Sequence, residues 1–453
     1  MRDRMIGLML LVVLGGAVGT NVSASVPDIR SDWQRPNYDK SKIAPYDLED
    51  PLTFADGRKL DGPDEWPVRR TEILKIFAEN MFGQEPPPPE AVELEKFEEG
   101  ETCGGFGLRQ QYRMWFREDR TGPAVDWLVI LPQKAKGPVP VFMLLNYQGN
   151  HQFLSDPQIR MPEGVWIRFA KDFKADPSTR GIFERQNGPE CVFPASMILA
   201  RGYGVMTACY AQVSPDPCGH PEISAWSGAF DLWPKRNESR TDNTTAIGAW
   251  AWSLSRGMDL AERILQVDAT RVVATGWSRL AKAALLASAR DTRFAVCVPN
   301  QTGGGGCPLA KRDYGENVAT EMKKFPHWYC SAYQRYERNP AVLLTFDQHL
   351  LLATIAPRPL MVQGFDERWF DTEGEFLALR AASPVWPFLG RTALQDVPFP
   401  ADFEETCMGR DLAYVRRSGW HGISAQDWVW AMDFVDRAFG CNTGSSSSRP
   451  TMP

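Results

Sequence analysis

A serine at residue 278 lies where an apolar segment ends and a helical pattern begins. The strand-like run 271–275 leads directly into Gly276-Trp277-Ser278-Arg279-Leu280-Ala281-Lys282. A serine on such a sharp turn exposes its hydroxyl, and the first N–H groups of the helix point at whatever that oxygen attacks. The turn therefore requires a fold in which strands feed helices, and it makes Ser278 a candidate nucleophile. The match to Gly-x-Ser-x-Gly is incomplete, because Leu280 replaces the last glycine.

Strand-like and helix-like segments alternate through the middle of the chain. Apolar runs predict strands at 124–131, 139–145, 204–208, 271–275, 294–299 and 359–364. Helical patterns lie at 194–201, 246–265, 279–289 and 349–355, and another begins near Ala425. This alternation predicts a central, mostly parallel sheet flanked by helices, which is a three-layer α/β sandwich. Ligands of such sheets bind outside the carboxyl ends of the strands, where Ser278 is expected.

The two ends of the chain differ in composition from the middle. Residues 1–24 combine two arginines, an apolar run and the small residues Val22-Ser23-Ala24, a pattern typical of a cleaved signal peptide. We expect an exported protein, periplasmic or secreted, without a membrane anchor, because no later segment has the roughly 20 apolar residues of a spanning helix. Residues 25–440 are predicted to form one domain with an N-terminal wrap that contains a helix near 70–82. The polar tail 441–453 is predicted to be disordered.

Composition argues against several classes of function. A net charge of −6 without Lys/Arg clusters argues against a nucleic-acid partner. The nine cysteines lack the spacing of a metal site, so no metal ligands are predicted. Export permits disulfides, and Cys307 with Cys330 is the first pair to test, since both flank the segment after the nucleophile helix. Buried free thiols are an equally good interpretation of the other cysteines.

A serine nucleophile needs a base, and only five histidines are available. In the α/β-hydrolase order of serine, acid and histidine, the base lies well after the serine on a loop. His421 fits, because glycines bracket it and a helix follows. His349 begins an apolar helix and is interpreted as structural. His327 either lines the site or fills a packed corner.

Three carboxylates follow the predicted strand 359–364, and one of them is expected to be the catalytic acid. A carboxylate here would hold the imidazole in one tautomer and stabilise the imidazolium as it forms. Glu367 is the predicted acid, and Asp366 is the alternative. Asp371 is interpreted as a solvated loop carboxylate.

Several stretches match a known family in order and spacing. They are 276–282, 246–259, 315–330, 356–359, 369–376 and 421–422, with further matches at 146–151 and 198–203. From about Tyr38 to Phe439 the chain resembles the glucuronoyl esterases of carbohydrate esterase family 15. The resemblance implies an α/β-hydrolase fold and a carboxylic ester hydrolase of the 4-O-methyl-glucuronoyl methylesterase type. The implied substrate is glucuronoxylan or a lignin-carbohydrate ester, in which 4-O-methyl-glucuronic acid is esterified to an alcohol. The implied mechanism needs no cofactor, and a monomer is expected.

The resemblance also implies roles for individual residues. Ser278 matches the nucleophile, His421 the base, and Arg279 an arginine that faces the developing oxyanion. Lys282 matches a lysine that contacts sugar hydroxyls, although the residue alone is equally typical of a solvated surface. Trp369 matches a tryptophan that packs on the uronate.

Three further positions bear on the site. Glu316 lies approximately where the family has a polar sugar-binding residue. Gln301 follows Asn300 where some members carry the acid, and a glutamine has no charge to replace it, so the acid is assigned to Glu367 or Asp366. Trp277 stands where many relatives have a smaller residue, and its bulk either narrows the pocket or repacks the turn.

Two other functions stay open. One is a carboxylic ester hydrolase of different specificity, such as an acetyl xylan esterase. The other is a non-catalytic carbohydrate-binding protein on a hydrolase scaffold, suggested by Gln301 and by the 16 tryptophans. Comparing acetyl esters with benzyl glucuronate tests the first, and labelling of Ser278 by a serine-directed phosphonate tests the second.

Overall fold

The computed structural model describes residues 35–168, 170–185, 193–366, 368–400 and 406–440. The predicted signal peptide, the predicted disordered tail and Glu367 lie outside these residues. The strands are β1 (Glu93–Thr102), β2 (Gly107–Trp115), β3 (Ala124–Pro132), β4 (Val139–Asn146), β5 (Gly204–Cys209), β6 (Val267–Trp277), β7 (Val296–Asn300), β8 (Leu360–Phe365), β9 (Thr406–Met408) and β10 (Leu412–Arg417). The helices are α1 (Trp66–Phe77), α2 (Ile182–Arg185), α3 (Ala195–Ala200), α4 (Ala246–Ala261), α5 (Arg279–Arg290), α6 (Val318–Lys324), α7 (Pro340–Leu343), α8 (Gln348–Ala353), α9 (Thr372–Ala382), α10 (Val385–Phe388) and α11 (Ala425–Phe439).

These strands form one sheet in the order β1-β2-β3-β5-β4-β6-β7-β8-β10-β9. The six strands from β5 to β10 in this order run parallel to one another. Antiparallel strands flank them, with β1, β2 and β3 at one edge and β9 at the other. The predicted parallel centre is confirmed.

Strand β4 shows how the sheet fills two cores. Its eight residues are all buried. Val141, Met143 and Leu145 pack in one apolar cluster with residues of α4, α5, α8 and α9. Phe142 and Leu144 point to the opposite face and pack with α3 and α11. The predicted three-layer sandwich is therefore confirmed, and continuous apolar runs mark the strands that are covered on both faces.

The six predicted strands are all present, whereas β1, β2, β9 and β10 were not predicted. Strand β1 has the sequence ELEKFEEGET and is largely exposed, so it lacks an apolar run. It occupies the end of the segment interpreted as a wrap. Strand β10 is buried throughout but ends in two arginines, which obscured its strand pattern.

The N-terminal segment packs on the helical layer beside α8. The Arg70 side chain of α1 donates to the Thr354 carbonyl at 2.9 Å, and the Trp66 indole donates to the Ala356 carbonyl at 3.4 Å. The predicted helix at 70–82 begins earlier, at Trp66, and its last turn, 78–82, widens into a π-helix. Across the described ranges, no helix combines the length and apolar character that crossing a membrane requires.

Backbone hydrogen bonds join the carboxyl ends of four neighbouring parallel strands. After β6, the Ser278 N–H donates to the carbonyl of Asn300, the last residue of β7, at 3.0 Å. The Gln301 N–H donates to Gln363 of β8 at 2.7 Å, and the Asp366 N–H donates to the Arg417 carbonyl of β10 at 2.8 Å. The loops after these strands therefore meet along one edge of the sheet, which is where such folds bind ligands.

Candidate active site

Ser278 lies on a strained turn between β6 and α5. Its φ of 58° and ψ of −135° are unusual for a non-glycine residue, and such strain is typical of a nucleophile held at the top of a strand. Its carbonyl accepts from the N–H groups of Ala281 and Lys282 at 2.9 and 3.2 Å, which starts the helix. Gly276 permits the tight turn, because a Cβ there would lie 2.9 Å from the Leu280 carbonyl oxygen.

His421 lies on the loop after β10, and a buried amide holds its ring. The imidazole Nδ1 is 2.9 Å from Oε1 of Gln301. The ring also packs between Phe365 and Phe370, with centroid distances of 5.4 and 4.8 Å. Gln301, which follows β7, therefore joins the predicted base to the strand end that binds the Ser278 backbone.

The Gly422 backbone fixes the orientation of the Gln301 amide. The Gly422 N–H donates to Oε1 at 2.9 Å, and Nε2 of Gln301 donates to the Gly422 carbonyl at 2.8 Å. The atom facing His421 is therefore an oxygen, which accepts a hydrogen bond but cannot donate one. Because the imidazole must then carry its proton on Nδ1, its Nε2 is left as the basic nitrogen.

The surroundings of His421 disfavour its charged form. Loss of solvation, followed by the positive charges of Arg279, Arg417 and Lys282, lowers the pKa of His421 to about 4. The neutral imidazole is therefore the form present at ordinary pH.

Arg279 directly follows Ser278, and its side chain is only 12% exposed. Its guanidinium carbon lies 4.9 Å from the ring centroid of Trp328 and 5.5 Å from that of Tyr147. Nη1 donates to the buried carboxylate of Asp216. Burial alone would lower the pKa of Arg279, but Asp216 more than offsets this and raises it, so the side chain is a permanent cation.

Lys282 is buried one turn after Ser278, with 2% of its side chain exposed. Its Nζ donates to Glu321 at 2.9 Å and to the Tyr329 hydroxyl at 3.3 Å, and it lies 3.8 Å from Glu316. The interpretation as a solvated surface lysine is thereby wrong. The lysine and the two glutamates therefore form one buried polar cluster. Within it, burial raises the pKa of Glu321, and the positive charge of Lys282 partly offsets this rise.

The structure also brings Trp369 and Glu316 together. The Glu316 N–H donates to the Trp369 carbonyl at 2.7 Å, and Oε2 of Glu316 accepts from the Gly304 N–H at 3.1 Å. Trp369 is partly exposed, with Nζ of Lys324 4.2 Å from its ring centroid. Glu316 therefore links the Trp369 backbone to the Lys282 cluster, which begins one helical turn after Ser278.

Comparison with known proteins places this arrangement in a family. The model of fungal glucuronyl esterases matches residues 226–390. A carbohydrate esterase named MZ0003 from an unidentified prokaryotic organism is 33% identical over 419 residues, which are 90% of this chain and 94% of that protein. Two solved structures each have a TM-score of 0.79 at 32% identity and cover 89% of this chain and 100% of theirs. One is a glucuronoyl esterase from Solibacter usitatus, and the other is a promiscuous CE15 esterase from a marine bacterial metagenome.

This chain is a member of the glucuronoyl esterase family, carbohydrate esterase family 15. The recognition made from sequence motifs is confirmed. The esterase has the α/β-hydrolase fold and is a carboxylic ester hydrolase.

One interpretation of an individual residue in the esterase was wrong, and the candidate disulfide between Cys307 and Cys330 is not formed. Asp371 is not a solvated carboxylate, because it is 3% exposed, caps α9 and pairs with Arg312 at 2.8 Å. Cys307 and Cys330 are free, buried thiols. The Cys307 N–H binds the Thr302 hydroxyl, and the Cys330 N–H binds the Met81 carbonyl.

Other predictions about the esterase have mixed outcomes. His349 is structural, as expected: it is buried on α8, and its Nε2 is 2.7 Å from the Glu49 carbonyl. His327 is buried, and its Nε2 is 2.7 Å from Oδ1 of Asp216, the carboxylate that binds Arg279. Trp277 packs against Tyr147, with a centroid distance of 4.8 Å, so its bulk repacks the turn. Asp366 is exposed near the start of the His421 loop, and its role as the alternative acid stays a prediction.

Sequence reasoning missed three residues of the esterase site. Asp216 lies seven residues beyond β5, and its position after a parallel strand was the only signal for it. Tyr147 follows β4, donates to the Trp277 carbonyl at 2.8 Å and contacts the Ser278 side chain. Glu321 lies on α6, an element that was not predicted. Among the described residues, no group of three or more metal-binding side chains is arranged to hold an ion.

Proposed function

We propose that the esterase cleaves the ester between 4-O-methyl-glucuronic acid of glucuronoxylan and an alcohol, with Ser278 as nucleophile and His421 as base. Membership of the glucuronoyl esterase family supports the substrate class. The observation that carries the proposal is that the turn of Ser278 and Arg279 meets the loop of His421 at one edge of the sheet. The Ser278 N–H binds the Asn300 carbonyl, and the next residue, Gln301, binds His421. The polar cluster of Lys282 and its glutamates begins one helical turn after Ser278. Acyl transfer needs Ser278, Arg279 and His421, and a uronate sugar needs the cluster.

The reaction starts with proton transfer from Ser278. The Nε2 atom of neutral His421 takes the hydroxyl proton as the oxygen attacks the ester carbonyl. Gln301 keeps the imidazole in the tautomer that this step requires, since its oxygen accepts a hydrogen bond from the Nδ1–H group. The strained turn keeps the serine oxygen at the edge of the sheet, where the substrate binds.

Arg279 supplies the charge that the tetrahedral intermediate needs. Negative charge develops on the former carbonyl oxygen, and a fixed cation beside helix N-terminal N–H groups stabilises it more in the transition state than in the ground state. The burial of Arg279 strengthens the interaction, because little water screens it.

The intermediate then collapses and the alcohol leaves with the proton from His421. A water molecule, deprotonated by the same nitrogen, attacks the Ser278 ester and releases glucuronate. Glu367 is the proposed acid that stabilises the imidazolium during these steps, and it lies outside the described residues. The predicted signal peptide, residues 1–24, supports action outside the cytoplasm, in the periplasm or beyond.

The sugar is proposed to bind on the Lys282 side of Ser278. Lys282, Glu316 and Glu321 offer hydrogen-bond partners for hydroxyl groups, and hydrogen bonds to a charged group are stronger than neutral ones. Trp369 offers an indole face to the C–H surface of a pyranose. An acetyl ester carries no sugar acid and uses none of these contacts.

The test compares Ser278→Ala with the wild-type protein on benzyl and methyl glucuronate and on an acetyl ester. The variant is expected to lose about 10⁴-fold or more in kcat while keeping its thermal midpoint, because only the nucleophile is removed. The wild type is expected to prefer the glucuronate esters. Unchanged activity of the variant would contradict the role of Ser278, whereas a preference for the acetyl ester would indicate an acetyl esterase. Xylan binding with no labelling of Ser278 by a serine-directed phosphonate would indicate a binding protein.

A further inference from the structure

Asp216 is a fully buried carboxylate at which four donors converge. Its Oδ1 accepts from Nε2 of His327 at 2.7 Å and from the Trp328 indole at 3.0 Å. Its Oδ2 accepts from Nη1 of Arg168 at 3.0 Å and from Nη1 of Arg279. The side chain itself is 0% exposed. Both oxygens are therefore occupied, and one of them holds the guanidinium next to the nucleophile.

The charge of Asp216 is maintained despite its burial. Burial alone would raise the pKa of Asp216, but Arg279, His327 and Arg168 lower it more, so the pKa lies well below its usual range. A buried charge is tolerated only when it is paired and hydrogen-bonded. The carboxylate and Arg279 thus form a buried ion pair.

Aromatic side chains surround the Arg279 guanidinium but do not fix its orientation. Trp328, Tyr147 and Phe325 have their ring centroids 4.9, 5.5 and 6.0 Å from the guanidinium carbon. A cation is attracted to a ring face over a broad range of positions, whereas a hydrogen bond to a carboxylate has a defined geometry. Asp216 therefore sets where the guanidinium lies.

We propose that Asp216 is a positioning residue of the esterase: it holds the Arg279 guanidinium in the place where the oxyanion of the intermediate forms. This inference rests on the proposed function, in which Arg279 stabilises that oxyanion. It assigns Asp216 no contact with the substrate. Asp216 fixes the orientation of the Arg279 guanidinium before negative charge develops on the substrate oxygen. The guanidinium can then stabilise that charge without having to move.

Asp216→Asn separates this role from simple packing. Asparagine has nearly the same shape, but it has one acceptor oxygen in place of two. If that oxygen serves His327 and Trp328, the NH2 group faces Arg168 and Arg279, and Arg279 loses its acceptor. We expect kcat to fall about 30-fold, which is less than the loss of a whole oxyanion donor, while KM changes less than about 3-fold.

The decisive measurement is a double-mutant cycle of Asp216→Asn with Arg279→Gln. If Asp216 acts through Arg279, Asp216→Asn lowers kcat in the wild type and changes it less than about 3-fold in the Arg279→Gln background. Equal effects in both backgrounds, or an unchanged kcat of Asp216→Asn, would overturn the proposal. A purely structural role would give equal effects, so the cycle separates the two.

A matched control and a milder variant complete the test. Asp436 is also buried and accepts from Nε of Arg201 at 2.9 Å, but it lies on α11 away from the strand ends. Asp436→Asn is expected to lower the thermal midpoint comparably and to leave kcat within about 2-fold. If Asp216→Asn does not fold, His327→Ala replaces it. That variant removes one donor to Oδ1, and kcat is expected to fall about 5-fold in the wild-type background alone.

The cycle is run on both benzyl glucuronate and 4-nitrophenyl acetate. If the wild type cleaves only the acetate, the proposed substrate is wrong, and the acetate cycle still decides the role of Asp216. If the wild type cleaves the glucuronate and the cycle is additive, the proposed function stands and the positioning role fails.

Discussion

The two sides of the active site treat charge in opposite ways. On the helix α5 side, the cations Arg279 and Lys282 are each hydrogen-bonded to a buried carboxylate, Asp216 and Glu321. On the loop side, His421 is bonded to the neutral amide of Gln301, and nearby cations help to lower its pKa. The first side maintains charge, and the second suppresses it.

This difference matches the step that each side performs. A cation must already be in place when the oxyanion forms, so a permanent ion pair suits the α5 side. A base must be neutral before it takes the proton, so an amide partner suits the loop side. The disadvantage arises once His421 is protonated, because the neutral amide of Gln301 does not stabilise the positive charge of the imidazolium. Variants of Gln301 and Glu367 test whether Gln301 supplies orientation only and whether a carboxylate supplies the missing charge.

Gln301→Ala is expected to have the largest effect on the loop side. Loss of the acceptor frees the imidazole to rotate and to change tautomer, so kcat/KM on benzyl glucuronate is expected to fall about 10³-fold. Gln363→Ala is the matched control, because Gln363 is a buried amide at the end of the next strand and accepts from Asn300 at 2.7 Å. It is expected to cost stability and much less activity. Equal losses in the two variants would contradict an orienting role for Gln301.

Glu367→Gln is expected to have the next largest effect. If this carboxylate stabilises the imidazolium, its neutral isostere should lower kcat about 10²-fold, and Asp366→Asn should lower it far less. The comparison uses the same glucuronate ester at one pH, with the thermal midpoint as the check on folding. The reverse ranking would assign the acid to Asp366. No effect in either variant would show that Gln301 is the only partner the histidine needs.

The site residues that could be predicted from the sequence are mostly those that lie close together along the chain. Ser278, Arg279 and Lys282 occupy one turn and the start of one helix, so a local pattern is enough to relate them. The parallel strands were found for a similar reason, since burial on both faces leaves unbroken apolar runs. His421 was found from the chain order of the triad and its flanking glycines.

The missed parts depend on contacts between distant segments. Asp216 meets Arg279 across 63 residues and His327 across 111, and no local pattern marks such a carboxylate. Gln301 was noticed but assigned no role, because its function depends on a left-handed turn with φ of 53° and on both polar groups of the Gly422 backbone. Asp371 was misinterpreted because its partner Arg312 is 59 residues away.

The pH dependence of kcat/KM tests the smallest expected effect, which is the suppression of positive charge on His421. With the pKa of His421 at about 4, the base is neutral above that pH, so the acid limb of the profile should have its midpoint near pH 4. Gln301→Glu places a carboxylate beside Nδ1, which stabilises the imidazolium and raises the pKa of His421. The acid limb should therefore move upward by about 1 to 3 pH units.

The position of the limb separates this effect from damage to the fold. Glutamate loses the hydrogen bond that Gln301 donates to the Gly422 carbonyl, so the absolute rate of the variant reflects two changes. The midpoint of the limb reflects only the protonation of the base, provided that circular dichroism shows both proteins folded down to pH 4. A wild-type limb near pH 6.5 would mean that the aromatic rings and cations do not suppress the charge of His421. An unshifted limb in Gln301→Glu would mean that residue 301 does not contact the base during catalysis.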